Sequence, residues 1–146
     1  MRVVVQRAKR GEVRVEDRVV GQIDEGLVLL VGFTQDDTYN EVDYMVDKVI
    51  NLRIFDDENG IMNKSLIDIK GSILSISQFT LYADARKGRR PNYIKALNGK
   101  EAEILYALFN QKLKDKNIKV ETGIFGADME VELINDGPVT IVMESR

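Results

Sequence analysis

Two short runs in this chain gather groups that could do chemistry where an apolar segment gives way to a polar one. The first is Ser77-Gln78-Phe79-Thr80, which follows the alternating Ile73-Leu74-Ser75-Ile76. A strand ending in such residues offers hydroxyls, a carboxamide and backbone N–H groups leaving the ladder, which are donors of the kind a developing oxyanion needs. The same residues also suit a plain turn, with Ser77 and Thr80 capping the backbone and Gln78 in solvent. The second run is Asn135-Asp136-Gly137-Pro138-Val139-Thr140. Proline cannot donate to a β-ladder, so Gly137-Pro138 marks an edge, the start of a strand or a cis bend, and an ordinary trans turn is the commonest form of such a pair.

Composition limits what these runs can do. Among 146 residues there is no Cys and no His. That removes disulfides, thiol nucleophiles, thiolate metal sites, the imidazole base of serine-type triads and the common zinc ligands. Catalysis must then use backbone dipoles, hydroxyls, carboxylates, amines or the substrate's own groups. Asp56-Asp57-Glu58 lacks the ligand spacing of an EF-hand and reads as a surface turn, with a metal-dependent hydrolase built on these acids as a distant alternative.

Charge adds a second constraint. There are 21 basic and 24 acidic residues, a net of −3, which by itself argues against a dedicated nucleic-acid binder. The basic residues are unevenly placed, however. Arg86, Lys87, Arg89, Arg90, Lys95 and Lys100 crowd one segment, and Arg7, Lys9 and Arg10 crowd another. Such a patch can hold a phosphate backbone, or it can be a solvated loop.

Ordinary elements must position these groups. With 44% hydrophobic and 31% charged residues and two prolines, the chain reads as one globular domain over residues 1–146, large enough to bury about two-thirds of its extended surface. Val3-Val4-Val5, Val13-x-Val15 and Val19-Val20 predict a hairpin turning at Glu16-Asp17-Arg18. Gly26 to Gly32 predicts a central strand covered on both faces. Asp36-Asp37 are expected to cap a helix over 38–51 whose stripe is Val42, Met45, Val46, Val49 and Ile50. Further strands are expected at 52–55, 71–77, 119–122, 131–135 and 139–144. Pro91 suits the first turn of a second helix, interrupted at Asn98-Gly99 and continuing through Ile104, Leu105, Leu108, Phe109 and Leu113. The class is α+β, a mixed, largely antiparallel, barrel-like sheet with two amphipathic helices in the order βββ-α-ββ-α-βββ. The N-terminus is too short an apolar run for a signal peptide and Leu27–Val31 is far below a membrane span, so the expected location is cytoplasmic, with no membrane association.

Together, Ser77-Gln78-Phe79-Thr80-Leu81 and Asn135-x-Gly137-Pro138-Val139-Thr140 resemble the paired signature motifs of the D-aminoacyl-tRNA deacylases. The likeness runs along the chain through Arg7-Ala8, Gly26-Leu27 to Gly32, Asn51 to Phe55, Gly88-Arg89-Arg90-Pro91 and Thr122-Gly123-x-Phe125-Gly126-Ala127-x-Met129. The resemblance implies hydrolysis of the ester between a D-amino acid, or glycine, and the terminal ribose of tRNA, with L-aminoacyl-tRNA rejected. It implies a homodimer with sites at the interface, in which Gly137-Pro138, as a cis peptide, enters the partner's pocket as a chiral gate. Ser77, Gln78, Phe79 and Thr80 would surround the ester, and Phe125 and Met129 would lie near the terminal adenosine of the acceptor end. No cofactor and no metal is implied.

Within that reading Thr80 either orients the reacting groups or acts as a nucleophile, and no base for its hydroxyl is evident in the sequence. Arg86, Lys87, Arg89 and Arg90 are the candidates for tRNA phosphates. The competing class is a dimeric RNA- or DNA-binding module without catalysis, using the basic loop with Tyr82 or Tyr93 as stacking surfaces.

Overall fold

A computed structural model describes residues 1–145. Strand β1 (Arg2–Val15) turns through Glu16 and Asp17, both at positive φ (50° and 63°), into β2 (Arg18–Ile23). Two left-handed residues give the mirror-image turn whose twist matches a hairpin. Arg18 already pairs with Val15, so the turn is one residue tighter than the sequence suggested. Strand β3 (Gly26–Gly32) lies antiparallel to β1, from Arg2 opposite Gly32 to Ala8 opposite Gly26.

Helix α1 (Tyr39–Asn51) buries the predicted stripe. Its cap is Thr38, which forms a reciprocal capping box with Glu41, rather than Asp36 or Asp37. Asp37 instead holds the Met1 ammonium at 2.7 Å and accepts from the Thr34 N–H. The expected strand at 52–55 is displaced: β4 (Phe55–Asp56) pairs with β5 (Met62–Lys64) as a small separate hairpin, followed by the short helix α2 (Leu66–Ile69).

Strand β6 (Ser72–Ser77) lies parallel to β3 and leads into a 3-10 turn, Phe79–Tyr82. Pro91 does not start a helix. It lies in an exposed loop closed by a two-way backbone bond between Asp84 and Asn92. Helix α3 (Gly99–Asp115) begins at Asn98, whose side chain accepts from the Glu101 N–H, so Asn98-Gly99 starts the helix instead of interrupting it. Strand β7 (Val120–Thr122) runs parallel to β6, and β8 (Glu130–Glu144) runs antiparallel along β1. The two strands expected at the C-terminal end are thus one, with register shifts opposite Gln6 to Arg10 where the Gly-Pro segment bulges out.

The sheet order is β2-β1-β3-β6-β7, with β8 on the other side of β1. A Cβ on Gly21 would lie 2.6 Å from the Thr122 carbonyl, so β2 and β7 nearly meet and the sheet curls into a barrel-like α+β fold. Strand alternation divides the core in two. Val3, Val5, Leu27, Leu29 and Ile73 face α1 and α3, while Val13, Val28, Leu74 and Ile76 fill the barrel. Side chains as completely buried as Leu29 contribute about 2 kcal/mol each. No helix among the described residues is long and apolar enough to cross a membrane.

Candidate active site

Strands β3, β6 and β7 are mutually parallel and end on the same side of the sheet. In such sheets the crevice beyond the carboxyl ends of the strands is where ligands bind. A cavity of about 550 Å³ opens there, walled by Gly32 at the end of β3, Ser77 to Phe79 at the end of β6 and Phe125 to Met129 after β7, with Ala102 near the start of α3 as its side. Gly32 makes this possible, because a Cβ there would lie 2.8 Å from the Gln78 carbonyl and push the 3-10 turn away from β3.

Gln78 sits at the mouth of that turn. Its N–H bonds the Val31 carbonyl at 2.7 Å, locking the strand end, and no side chain caps the turn. The first N–H groups of a helical turn have no carbonyl within it to bond; of Phe79 and Thr80, which carry them here, Phe79 lines the cavity and Thr80 does not. The Gln78 carboxamide donates to the Thr80 hydroxyl oxygen. A nucleophilic hydroxyl needs a neighbour that accepts its proton, and here the neighbour donates. This geometry suits Thr80 to orientation. Phe79 stands 57% exposed at the rim, edge-on to Tyr93 at 5.1 Å.

Gly137 and Pro138 do not line this cavity. The peptide bond between them is cis, and Gly137 lies at φ 117°, a region L side chains rarely adopt. The surrounding residues bracket the bend. The Asn135 amide donates to the Arg7 carbonyl (2.9 Å) and the Val139 carbonyl (3.0 Å), and its oxygen accepts from Thr140 and Gln6. Arg7 closes the bracket from below: its guanidinium donates to the carbonyls of Ile54 (2.8 Å) and Asp136 (3.2 Å) and pairs with Asp56 and Asp136, both at 3.3 Å. Gly137 and Pro138 are themselves exposed.

The basic segments resolve differently from their sequence reading. Arg86 grips Asp84 with both ends of its guanidinium, at 2.9 and 2.6 Å, and the bond holds the Asp84 carboxyl well below the usual carboxylate range. Arg86 therefore clips its own loop together, while Lys87, Arg89 and Arg90 remain exposed at the tip. The cluster near the N-terminus dissolves: Arg7 is buried under the Gly-Pro bend and Arg10 pairs with Glu132 at 2.8 Å, whose carboxyl that bond lowers. In the acidic turn, Asp56 serves Arg7. Asp57 accepts from Asn63, Ile61 and Asn59, which lowers its carboxyl and makes it the pivot of a surface turn.

Arg7 and Tyr106 have roles that no sequence motif announces. Arg7 carried a signal, since it continues the inward parity of Val3 and Val5, and a charge on a core-facing position demands partners. Tyr106 lies on the buried stripe of α3, and its hydroxyl donates to the Ser75 carbonyl at 2.7 Å.

A cavity at parallel strand ends, floored by hydroxyl and amide groups and by open N–H donors, has the character of an acyl-transfer site that needs neither imidazole nor thiol. Comparison with known proteins agrees. The model of the D-Tyr-tRNA(Tyr) deacylase family matches residues 4–144, and the chain belongs to that family. It is 60% identical to a D-aminoacyl-tRNA deacylase of Brevibacillus brevis over 145 residues, covering 99% of this chain and 100% of that one. It is 59% identical to that of Anoxybacillus flavithermus over 146 residues, covering all of both. Among solved structures, a c-Myc DNA unwinding element binding protein superposes with a TM-score of 0.94 at 40% identity, covering 100% of this chain and 99% of that one. A probable eukaryotic D-amino acid tRNA deacylase superposes at 0.82 and 20% identity, covering 97% of each chain, which shows the shared fold.

Proposed function

We propose that the strand-end cavity cleaves the ester joining a D-amino acid, or glycine, to the terminal ribose of tRNA and rejects L-aminoacyl-tRNA, a chirality check on translation. The chain is a hydrolase of the D-aminoacyl-tRNA deacylase family, acting as one domain. The observation that carries the reading is the meeting of Ser77 to Phe79 with Phe125 to Met129 around one cavity. An aminoacyl ester is already activated, so the site needs only to orient water and to stabilise charge. Water adds to the ester carbonyl, and the tetrahedral oxyanion lies against the N–H groups of Phe79 and Thr80. The ribose oxygen then leaves and takes up a proton, with the neighbouring 2′-hydroxyl as relay. Gln78 and Thr80 orient the reacting groups, Ser77 lines the ester, and Phe125 and Met129 hold the terminal adenosine.

Gly137 and Pro138 act in a second copy of the chain. Their exposure, outside their own cavity yet tied down by Arg7, Asn135 and Thr140, supports this reading. Backbone groups presented there read Cα, which D-amino acids of every side chain share, and leave no room where an L side chain would project. Glycine passes the same gate. A homodimer is further supported by the accessible surface of 8703 Å², against the roughly 7,600 Å² typical of a monomer of this mass. Val142 and Ile134 on the edge strand β8 are 62% and 45% exposed, apolar area suited to an isologous contact. Lys87, Arg89 and Arg90 hold phosphates of the acceptor arm, and the enzyme works in the cytoplasm.

The name of the 40%-identical DNA unwinding element binding protein favours one other reading, a nucleic-acid module without turnover. Release of amino acid from D-aminoacyl-tRNA by the purified chain supports the deacylase. Tight binding of single-stranded nucleic acid with no release supports the module.

A further inference from the structure

We propose that Tyr106 is a positioning residue that sets the spacing between the two walls of the cavity. The inference rests on the site assignment above and goes beyond it to a residue outside both signature motifs. Strands β6 and β7 run side by side as far as the pair Ser75 and Thr122, then part. Beyond the fork β6 continues to Ser77, Gln78 and Phe79, and β7 turns into the loop that carries Phe125 and Met129.

Tyr106 stands at that fork. Its hydroxyl donates to the Ser75 carbonyl, two residues before Ser77, and its ring packs against Phe125 with centroids 5.8 Å apart. One side chain on α3 thus touches both walls, and Ala102, one turn earlier on the same helix face, lines the cavity itself.

The surroundings make this contact costly to hold for packing alone. Ser75 Oγ and Asn110 Oδ1 are buried beside it without a hydrogen-bond partner among the described residues. An all-apolar contact between helix and sheet would avoid that penalty, so a polar knot here points to a requirement for fixed geometry. Burial also pushes the phenol up from its ordinary value, so the O–H stays a donor into more alkaline solution than a free tyrosine's. Reacting groups displaced by even 1 Å lose much of their advantage, which is why a clamp behind the Gln78 to Thr80 turn bears on rate.

Tyr106→Phe keeps the ring and deletes the hydrogen bond, and it is tested in the full chain by kcat and KM on D-aminoacyl-tRNA and by hydrogen exchange. The expected result is a roughly tenfold fall in kcat with KM within twofold. Exchange should be at least fivefold faster at Ile76 to Phe79, with the amides of α1 unchanged. Phe125→Leu, which keeps the hydroxyl contact and removes the ring contact, should raise KM and leave exchange at Ile76 and Ser77 as in the wild type. Unchanged kcat and unchanged exchange in a folded Tyr106→Phe would overturn the proposal. Faster exchange at 76–79 in a chain whose wild type shows no turnover would leave the clamp standing and remove the deacylase reading instead. Should Tyr106→Phe not fold, wild-type exchange decides: amides at 76–79 that open only with global unfolding support the clamp, and amides that open well before it overturn it.

Discussion

The two signature segments are built in opposite ways. Ser77 to Phe79 wall a cavity within this chain, with Thr80 just behind, on a strand end that parallel neighbours and α3 hold in place. Asn135 to Thr140 is held as firmly, by Arg7, Asn135 and Thr140, yet it turns its Gly-Pro tip away from that cavity to solvent. A buried arginine needs partners, and here Arg7 finds them beneath the bend; the difference fits the proposed division of roles, in which one segment would make the reaction possible and the other would decide which substrate reaches it.

The sharpest way to break that comparison is to remove the tie beneath the bend. Arg7→Ala leaves the Ile54 and Asp136 carbonyls and two carboxylates without their donor, and should cost about 2 kcal/mol of stability in urea unfolding. D-to-L selectivity should fall more than the rate on D-aminoacyl-tRNA. Equal losses of both would merge the two roles. Thr80→Ala should keep part of the rate, falling about tenfold, because the open N–H groups stay in place. Complete loss with a trapped acyl-enzyme would make Thr80 the nucleophile.

At the basic tip, replacing Lys87, Arg89 and Arg90 with Gln should reduce the salt slope of tRNA binding by about 2. Arg86→Gln should instead loosen the loop through Asp84, with little change in slope. The smallest effect is on pH. The folded Asp84 carboxyl is depressed, so its contribution is present above the ordinary value of 3.8 and lost as pH falls below it. Wild type should therefore lose loop protection on acidification in a way that Arg86→Gln does not.

How much of this could be read in the sequence depended on range. The central strand at 26–32 and the stripe of α1 are local periodic patterns, and both are where the pattern puts them. Pro91 misled because its fixed φ suits a loop as well as a first helical turn, and the cap that starts α3 is Asn98. The strand at 52–55 slid because Phe55 pairs with Lys64 across a turn that Asp57 organises, and no apolar alternation marks β5. The C-terminal strands merged because β1 is long enough to pair with both, the Gly-Pro bend being absorbed as a bulge. The cavity's two walls were legible only as motifs, since their meeting depends on the parallel register of β6 and β7. Arg7 lies 47 and 129 residues from the carbonyls it holds, which no local pattern encodes.

On the proposed reading, this cavity discriminates chirality while hydrolysing an ester without thiol or imidazole. This is tested most directly by deacylation of matched D- and L-aminoacyl-tRNA by the purified full chain, with and without chelator. Release should be rapid from the D-ester and from glycyl-tRNA, no higher than background from the L-ester, and unaffected by chelation. Equal release from both enantiomers, or loss of activity on chelation, would contradict it.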